Sequence, residues 1–192
     1  MTPSFTVIKD VSETLKVFLQ SNISELSNPN AIKLDSPAEV NAGGSPRLSL
    51  FLYKVRYNKA LRNLPSERPS INQKQANPMV LDLMYLMTPF SNNNETEHII
   101  MEKLMLAFYD NSILRAPDLQ GALVEQGNEE LRIVPDDLSV DEIEKLWTAF
   151  PNKAYRLAVP FVVSPVYVPS QRVEEVTRVV ERQVIYSIPD EG

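Results

Sequence analysis

Two long segments rich in apolar residues dominate the hydrophobic pattern of the chain. Residues 48–57 alternate leucines on one face with aromatic and β-branched residues on the other, so both faces carry apolar side chains. Such a strand is typical of a central position in a sheet that is covered on both sides. Residues 80–87 predict a second strand of this kind, which we expect to end at Thr88-Pro89.

The spacing of apolar residues predicts helices on either side of these strands. Steps of three and four residues indicate an amphipathic helix over residues 5–26. A second helix is expected over about residues 95–109, with Asn94 as N-cap and Glu97 at the third helical position. The two helices should therefore present apolar faces that can cover the strands.

The remaining elements predicted from the pattern are shorter. Ser139 and Glu142 have the spacing of a capping box, in which each side chain accepts a hydrogen bond from the other residue's backbone, and predict the start of a third helix. We expect prolines to break the chain over residues 164–169. Short strands are predicted at residues 31–34, 131–134 and 155–163.

The last part of the chain has a different pattern. Residues 172–188 alternate apolar and cationic side chains and are rich in β-branched residues, which predicts an extended arm or an edge strand. A helix remains the alternative, because three of the valines are four residues apart. The residues expected to make contacts from this arm are Val176, Val180, Val184 and Tyr186.

Composition narrows the class of protein. At 192 residues, with 43% hydrophobic and 23% charged residues, the chain is long enough for one globular domain with a buried core. Its net charge of -6 argues against general nucleic-acid binding, and the longest apolar runs are too short to predict membrane insertion. The absence of cysteine excludes disulfides and thiolate metal sites, and cytoplasmic synthesis is the simplest expectation.

Candidate catalytic residues are few. Five glycines and no phosphate-binding motif argue against a nucleotide cofactor, and the single histidine, His98, has no cysteine or histidine cluster around it. Asp82 interrupts an apolar strand, so it must find a bonding partner or become protonated. We interpret it as an acid bonded within the fold and expect no metal or cofactor. The alternative is a small hydrolase that uses Asp82 and His98.

Charge is unevenly distributed along the chain. Residues 45–74 contain seven basic residues and one acid, a local charge of +6, whereas residues 117–145 contain nine acids and two bases, a local charge of -7. Opposite patches on one subunit suit head-to-tail contacts that close a ring. The alternative is that the patches pair within one chain. The interface candidates are Arg56, Lys59, Arg62 and Arg68, facing Glu129, Glu130, Asp136 and Asp137 of a neighbour.

A series of short motifs runs along most of the chain, up to about residue 170. They are Leu52-Tyr53, Val55, Asn58, Arg62-Asn63, Leu81-Asp82-Leu83, Tyr85-Leu86, Thr88, Glu97-His98, Leu138-Ser139, Glu142, Leu146-Trp147, Tyr155-Arg156-Leu157 and Ser164-Pro165-Val166. As a series they resemble the cap or tail-terminator family of phage-tail-like contractile injection systems. One departure is the segment Ala158-Val159-Pro160-Phe161, where a proline removes a donor from a strand.

The resemblance implies an α+β fold with a mixed, largely antiparallel sheet flanked by helices. It divides the chain into a terminator-like domain over residues 1–170 and a C-terminal arm over residues 171–192. It also implies a hexameric ring of a structural protein without catalysis, which ends the inner tube and links it to the contractile sheath. Assembly would take place in the bacterial cytoplasm, for a particle that is either released or anchored.

From the residues we add that the arm contacts the sheath by contributing a strand. Other structural roles in such a particle remain open, namely a baseplate adaptor, a tube-associated protein, or an assembly scaffold that is absent from the finished particle.

Overall fold

The computed structural model of the chain describes residues 5–41, 43–61, 73–150 and 154–175, with side chains for all of these except residues 73–75 and 173–175. The helices in this part of the chain are α1 (Val7–Asn22), α2 (Asn94–Asp110) and α3 (Val140–Thr148), and a 3₁₀ turn spans Ser24–Leu26. The strands are β1 (Ile32–Lys33), β2 (Arg47–Tyr57), β3 (Gln73–Gln75), β4 (Met79–Phe90), β5 (Ile113–Arg115), β6 (Glu130–Pro135), β7 (Val159–Val168) and β8 (Val173–Glu175).

Six of these strands form one curled sheet in the order β1-β2-β4-β7-β6-β5. All neighbours pair antiparallel except β1 and β2, which are parallel. Strands β3 and β8 pair with each other as a separate two-stranded ribbon. The predicted α+β fold with a mixed, largely antiparallel sheet is confirmed, and β5 is an edge strand that the pattern did not predict.

The two faces of the sheet are covered by different helices. Alternate residues of β4, from Leu81 to Met87, belong to the large apolar cluster that contains the buried faces of α1 and α2. On the other face, Leu86 packs against Trp147 of α3 and against Phe150, with Phe51 of β2 beside them. The helices therefore cover the central strands from both sides, as the apolar pattern of β4 requires.

The first helix is shorter than predicted. It ends at Asn22, because Ile23 has an extended backbone, and the chain then makes the 3₁₀ turn over Ser24–Leu26. Ile23 and Leu26 are nevertheless fully buried. The periodic apolar pattern thus identified buried positions correctly, although the last of them belong to a turn.

The start of α2 differs from the prediction by one residue. Asn93 is the N-cap, and its side-chain oxygen accepts a hydrogen bond from the Glu95 backbone at 2.9 Å. The predicted pairing of Asn94 with Glu97 is wrong, since the Glu97 carboxylate accepts from the Ser91 backbone at 2.9 Å and from Arg156 at 2.6 Å.

The capping box at α3 is confirmed. The Ser139 hydroxyl accepts from the Glu142 backbone N–H, and the Glu142 carboxylate accepts from the Ser139 backbone N–H at 3.0 Å. This reciprocal pairing satisfies donors that have no partner within the first helical turn. The N-terminus of α3 is therefore defined by residues adjacent in sequence, which is why its position could be predicted.

Strand β4 continues through Thr88 and Pro89, where it was predicted to end. The Leu48 backbone N–H donates to the Ala31 carbonyl at 2.9 Å, so the polar backbone of Leu48 points toward β1. Pro89 lies opposite Leu48 in the antiparallel pair, at a position where β2 and β4 do not exchange hydrogen bonds. The proline therefore removes no bond between these two strands.

Strand β7 lies four residues later than predicted at its start and continues through both of its prolines. The Pro160 carbonyl accepts a hydrogen bond from the Asp136 backbone N–H at 3.0 Å, and the pairing of β7 with β6 ends at this point. Because the pairing ends there, the strand tolerates the missing backbone N–H of Pro160. Ser164 and Pro165 lie together opposite Asp82 of β4, between the regular pairs on either side. This β-bulge absorbs the second proline without ending the strand.

Candidate interaction surface

Asp82 lies at the centre of a polar cluster at one end of the sheet. Its Oδ2 accepts from Arg56 Nε at 3.1 Å and Nη2 at 3.0 Å, and its Oδ1 accepts from Asn58 Nδ2 at 2.8 Å and the Ser164 hydroxyl at 2.6 Å. Burial raises the pKa of Asp82, but the hydrogen bonds from Ser164, Asn58 and Arg56 outweigh it and the pKa is lowered. The carboxylate is thus held ionised and joins β2, β4 and β7.

Asn58 extends this cluster into the turn that follows β2. Its backbone N–H donates to the Val80 carbonyl at 2.9 Å, which continues the pairing with β4. Its side-chain oxygen accepts from the backbone N–H groups of Ala60 and Leu61, both at 3.1 Å. The direction in which the chain leaves the sheet is therefore fixed through residue 61.

The cationic candidates lie at this same end of β2. Arg56 has a half-exposed side chain that is already paired with Asp82, while Lys54 and Lys59 are exposed. Arg62 and Arg68 lie outside the described residues. We call Lys54, Arg56 and Lys59 the cationic end of β2. It provides positive charge at the sheet edge, next to the exposed side chains of Val55 and Tyr57.

The acidic candidates divide into bonded and exposed groups. Glu130 accepts from Arg132 Nη2 at 2.8 Å, and Asp136 accepts from the Tyr53 hydroxyl at 3.4 Å. Glu129 and Asp137 are exposed, and the salt bridges found among the described residues do not include them. Half of the predicted acidic set is therefore already engaged within the chain.

The two charged patches meet within one chain near Tyr53. Burial and the nearby Asp136 carboxylate raise the pKa of Tyr53 to about 12. Hydrogen bonds from Ser139 lower the pKa of Glu142, and the positive charge of Lys54 contributes in the same direction. Acids of the negative segment and a base of the positive segment therefore lie close together within one chain.

The structure does not bring a catalytic set together around Asp82. Both carboxylate oxygens are occupied by donors, and His98 is not among its partners; it lies exposed in the first turns of α2. Within the described ranges, no group of three acids or histidines is arranged to hold a metal ion. None of the helices in these ranges is long and apolar enough to cross a membrane.

The predicted C-terminal arm begins as a strand. Residues 173–175 pair with residues 73–75, and the Ala76 backbone donates to the Arg172 carbonyl at 3.0 Å, so this ribbon prolongs the β4–β7 pair. Lys74 lies opposite Glu174 in the register of this ribbon. The predicted contact residues Val176, Val180, Val184 and Tyr186 lie outside the described residues.

Sequence reasoning missed an apolar stripe on α2. Ile99, Leu106 and Tyr109 are exposed on the side of the helix opposite its buried face. Their spacing was a detectable signal, but a single sequence does not say which of two apolar faces a helix turns to the core.

Comparison with known proteins places the chain in a family. The model of the Pvc16 N-terminal domain family matches residues 10–182. No protein with a curated description matches the chain.

Two solved structures share the fold. One is the sheath/tube terminator of PVC, an extracellular contractile injection system, in its extended state, with a TM-score of 0.70 and 18% identity over 99% of this chain. The other is the tube-terminating cap of the anti-feeding prophage, with a TM-score of 0.61 and 16% identity over 93% of this chain. The chain spans 66% and 61% of the length of these two proteins.

Proposed function

Because this chain belongs to the Pvc16 N-terminal domain family, we propose that it is a structural cap at the end of the inner tube of a contractile injection system. In this role it forms a ring that ends assembly of tube and sheath and links the two. The observation that carries the proposal is the shared fold with a sheath/tube terminator over 99% of the chain. The tube-terminating cap supports the same role.

The partners in this proposal are copies of the chain, the tube protein and the sheath protein, with a hexamer as the ring. No bond-breaking step is assigned to the chain, because Asp82, the acid that a hydrolase would use, already accepts four hydrogen bonds. The ring assembles in the cytoplasm before the particle is complete.

Within the ring, the cationic end of β2 faces acids of the neighbouring copy. Lys59 is the best cation for such a contact, because Arg56 is bound to Asp82 and Lys54 lies near Glu142. Arg62 and Arg68 follow in sequence and are the other two predicted cations. Glu129 and Asp137 are the predicted acids that remain exposed without a salt bridge in the described part of the chain.

Reversing these charges tests the ring. The double variant Lys59→Glu, Arg62→Glu should shift the chain from ring to monomer when its mass is measured by light scattering at low salt, where charge effects are largest. Arg56 is left unchanged because its bond to Asp82 belongs to the fold. The double reversal Lys9→Glu, Lys145→Glu, at exposed positions of α1 and α3, changes the net charge equally and should keep the ring. A Lys59→Glu, Arg62→Glu variant that still forms the wild-type ring would contradict this interface.

Labelling purified particles tests the cap role itself. A tag on the chain should appear at the end of the tube that is far from the baseplate, in electron micrographs of intact particles. A tag at the baseplate would instead support an adaptor role, and absence of the chain from finished particles would support an assembly scaffold. Either of these outcomes contradicts the cap.

We assign sheath contact to the C-terminal arm, residues 171–192, and ring formation to residues 1–170. A chain shortened after Glu175 keeps the β3–β8 ribbon, whereas one shortened after Pro169 loses it. Both should form rings, and both should release the sheath from the tube end. If particles with the chain shortened after Pro169 keep their sheath fixed, the arm does not make this contact.

A further inference from the structure

Helix α2 presents two apolar faces, and its own fold uses one of them. Ile100, Leu104 and Phe108 pack into the core, whereas Ile99, Leu106 and Tyr109 point the other way and are 44%, 55% and 83% exposed. These three follow one another at steps of seven and three residues, so they form a stripe along the outer side of the helix. We call these three residues the outer stripe of α2.

A second apolar area lies at a corner of the sheet. Val55 and Tyr57 are paired with Leu83 and Leu81, whose side chains belong to the cluster beneath α1 and α2. They therefore lie on the helix-covered face, yet they are 46% and 67% exposed, and Met79 beside them is 38% exposed. None of the helices in the described residues extends over this corner, which we define by Val55, Tyr57 and Met79.

The charges around the two areas are opposite. Glu95 and Glu102 lie along the outer stripe and are exposed, and no salt bridge involves either of them in the described part of the chain. The sheet corner is bordered by the cationic end of β2, where Lys59 is likewise exposed. An apolar centre with a complementary charged rim is the usual composition of a protein interface.

One chain cannot bring the two areas together. Helix α2 is fixed by its inner face and by the bond from Lys103 to Glu25 at 2.7 Å, so its outer stripe faces away from its own sheet. A second copy offers the missing partner for each area, as a head-to-tail contact requires. Both areas contain a tyrosine, a residue type that is enriched in protein interfaces because its ring is apolar and its hydroxyl group can reach water.

We propose that the outer stripe of α2 in one copy packs onto the sheet corner of the next copy and completes its helical layer. The inference rests on the proposed ring and names the two surfaces that form its subunit contact. It gives Lys59 a different partner from the one predicted by the sequence, because Glu102 of α2 takes the place of Glu129.

Charge rescue decides between these partners. Lys59→Glu should weaken ring formation by about tenfold or more in the concentration at half-assembly, because a like charge then faces the acid. Adding Glu102→Lys in the same chain should restore the ring, and adding Glu129→Lys should not. Rescue by Glu129→Lys and not by Glu102→Lys would overturn the α2 contact while leaving the ring proposal intact.

Cross-linking provides a test that does not depend on charge. The chain contains no cysteine, so single introduced thiols can be paired without background. Chains carrying Tyr57→Cys, mixed with chains carrying Leu106→Cys, should form a disulfide-linked dimer on mild oxidation. The control mixture replaces Leu106→Cys with Val140→Cys, an exposed apolar position on α3.

The possible outcomes distinguish failure of the proposed ring from failure of the α2 contact. A wild-type chain that stays monomeric under all conditions contradicts the ring, and with it this contact. A wild-type ring in which the test and control mixtures cross-link equally, or in which neither does, contradicts the α2 contact alone.

Discussion

The first and second halves of strand β2 have similar apolar sequences but different surroundings. Leu48 and Leu50 in the first half are fully buried, whereas Val55 and Tyr57 in the second half are largely exposed on the same face of the sheet. The irregularity at Tyr53 separates the halves, where the register with β4 shifts by one residue. An alternating apolar pattern therefore defines a strand without determining whether anything covers it.

The two halves are also held in place by different forces. The first half is packed between the helices: α1 and α2 cover its leucines, and on the other face the Phe51 ring lies 5.9 Å from that of Phe150. The second half is held by hydrogen bonds from Arg56 and Asn58 to Asp82. Because a polar cluster fixes this half, its apolar side chains remain available for contact with another subunit.

Shortening an apolar side chain in each half should give the largest difference in the free energy of unfolding. Leu50→Ala should lower the free energy of unfolding by about 3 kcal/mol, because it leaves a cavity in a closed core. Val55→Ala should lower it by less than about 1 kcal/mol, because the side chain is already in contact with water. Urea denaturation of both variants measures the difference, and equal losses would contradict the comparison.

Removing Asp82 should have the next largest effect. Asp82→Ala leaves Arg56, Asn58 and Ser164 without their shared acceptor and should cost about 2 kcal/mol in urea denaturation. Asp82→Asn has nearly the same shape and should recover part of that loss. Amide hydrogen exchange should accelerate at Asn58 to Leu61 in the alanine variant, since the turn loses its anchor. Unchanged exchange there would show that the turn does not depend on Asp82.

The sequence was informative where the determinants are local. The capping box of Ser139 and Glu142 spans four residues, and the apolar periods of α1 and β4 follow from neighbouring positions. The expected end of β4 at Pro89 was wrong because a proline disturbs a strand only where its missing N–H would have formed a hydrogen bond. Whether it would have done so depends on the side of β2 to which Leu48 bonds, and Leu48 bonds to Ala31, away from β4. That information belongs to strand order, which no local pattern contains.

The candidate surface shows the same limit. The positive and negative segments could be found from composition, and the need of Asp82 for a partner followed from its apolar neighbours. The approach of Asp136 and Glu142 to Tyr53 could not be found from the sequence. Each of the two acids is more than 80 positions from Tyr53, and the curl of the sheet brings them together. The outer stripe of α2 was not predicted, because helical spacing identifies an apolar face but does not determine whether the core covers that face.

Loss of the α3 cap should weaken the covering of the first half of β2. Ser139→Ala removes the acceptor for the Glu142 backbone and should cost about 1 kcal/mol, as is typical of N-cap residues. The exposed Glu144→Ala, outside the first turn of α3, keeps the cap and serves as control. Fluorescence of Trp147, the single tryptophan, reports the packing of α3 directly. Identical denaturation of the two variants would contradict a stabilising role for the capping box.

Acid should act selectively on the second half of β2. The pKa of Asp82 is lowered in the fold, so its contribution to stability is complete above the ordinary value of 3.8 and is lost as the pH falls through the folded value. The free-energy advantage of wild type over Asp82→Asn should therefore be constant from about pH 7 to 5 and shrink below pH 4. Other carboxylates, including Glu25 and Glu142, titrate in both proteins and cancel in the difference. An advantage that grows on acidification would mean that burial, which raises the pKa, outweighs the hydrogen bonds from Ser164, Asn58 and Arg56.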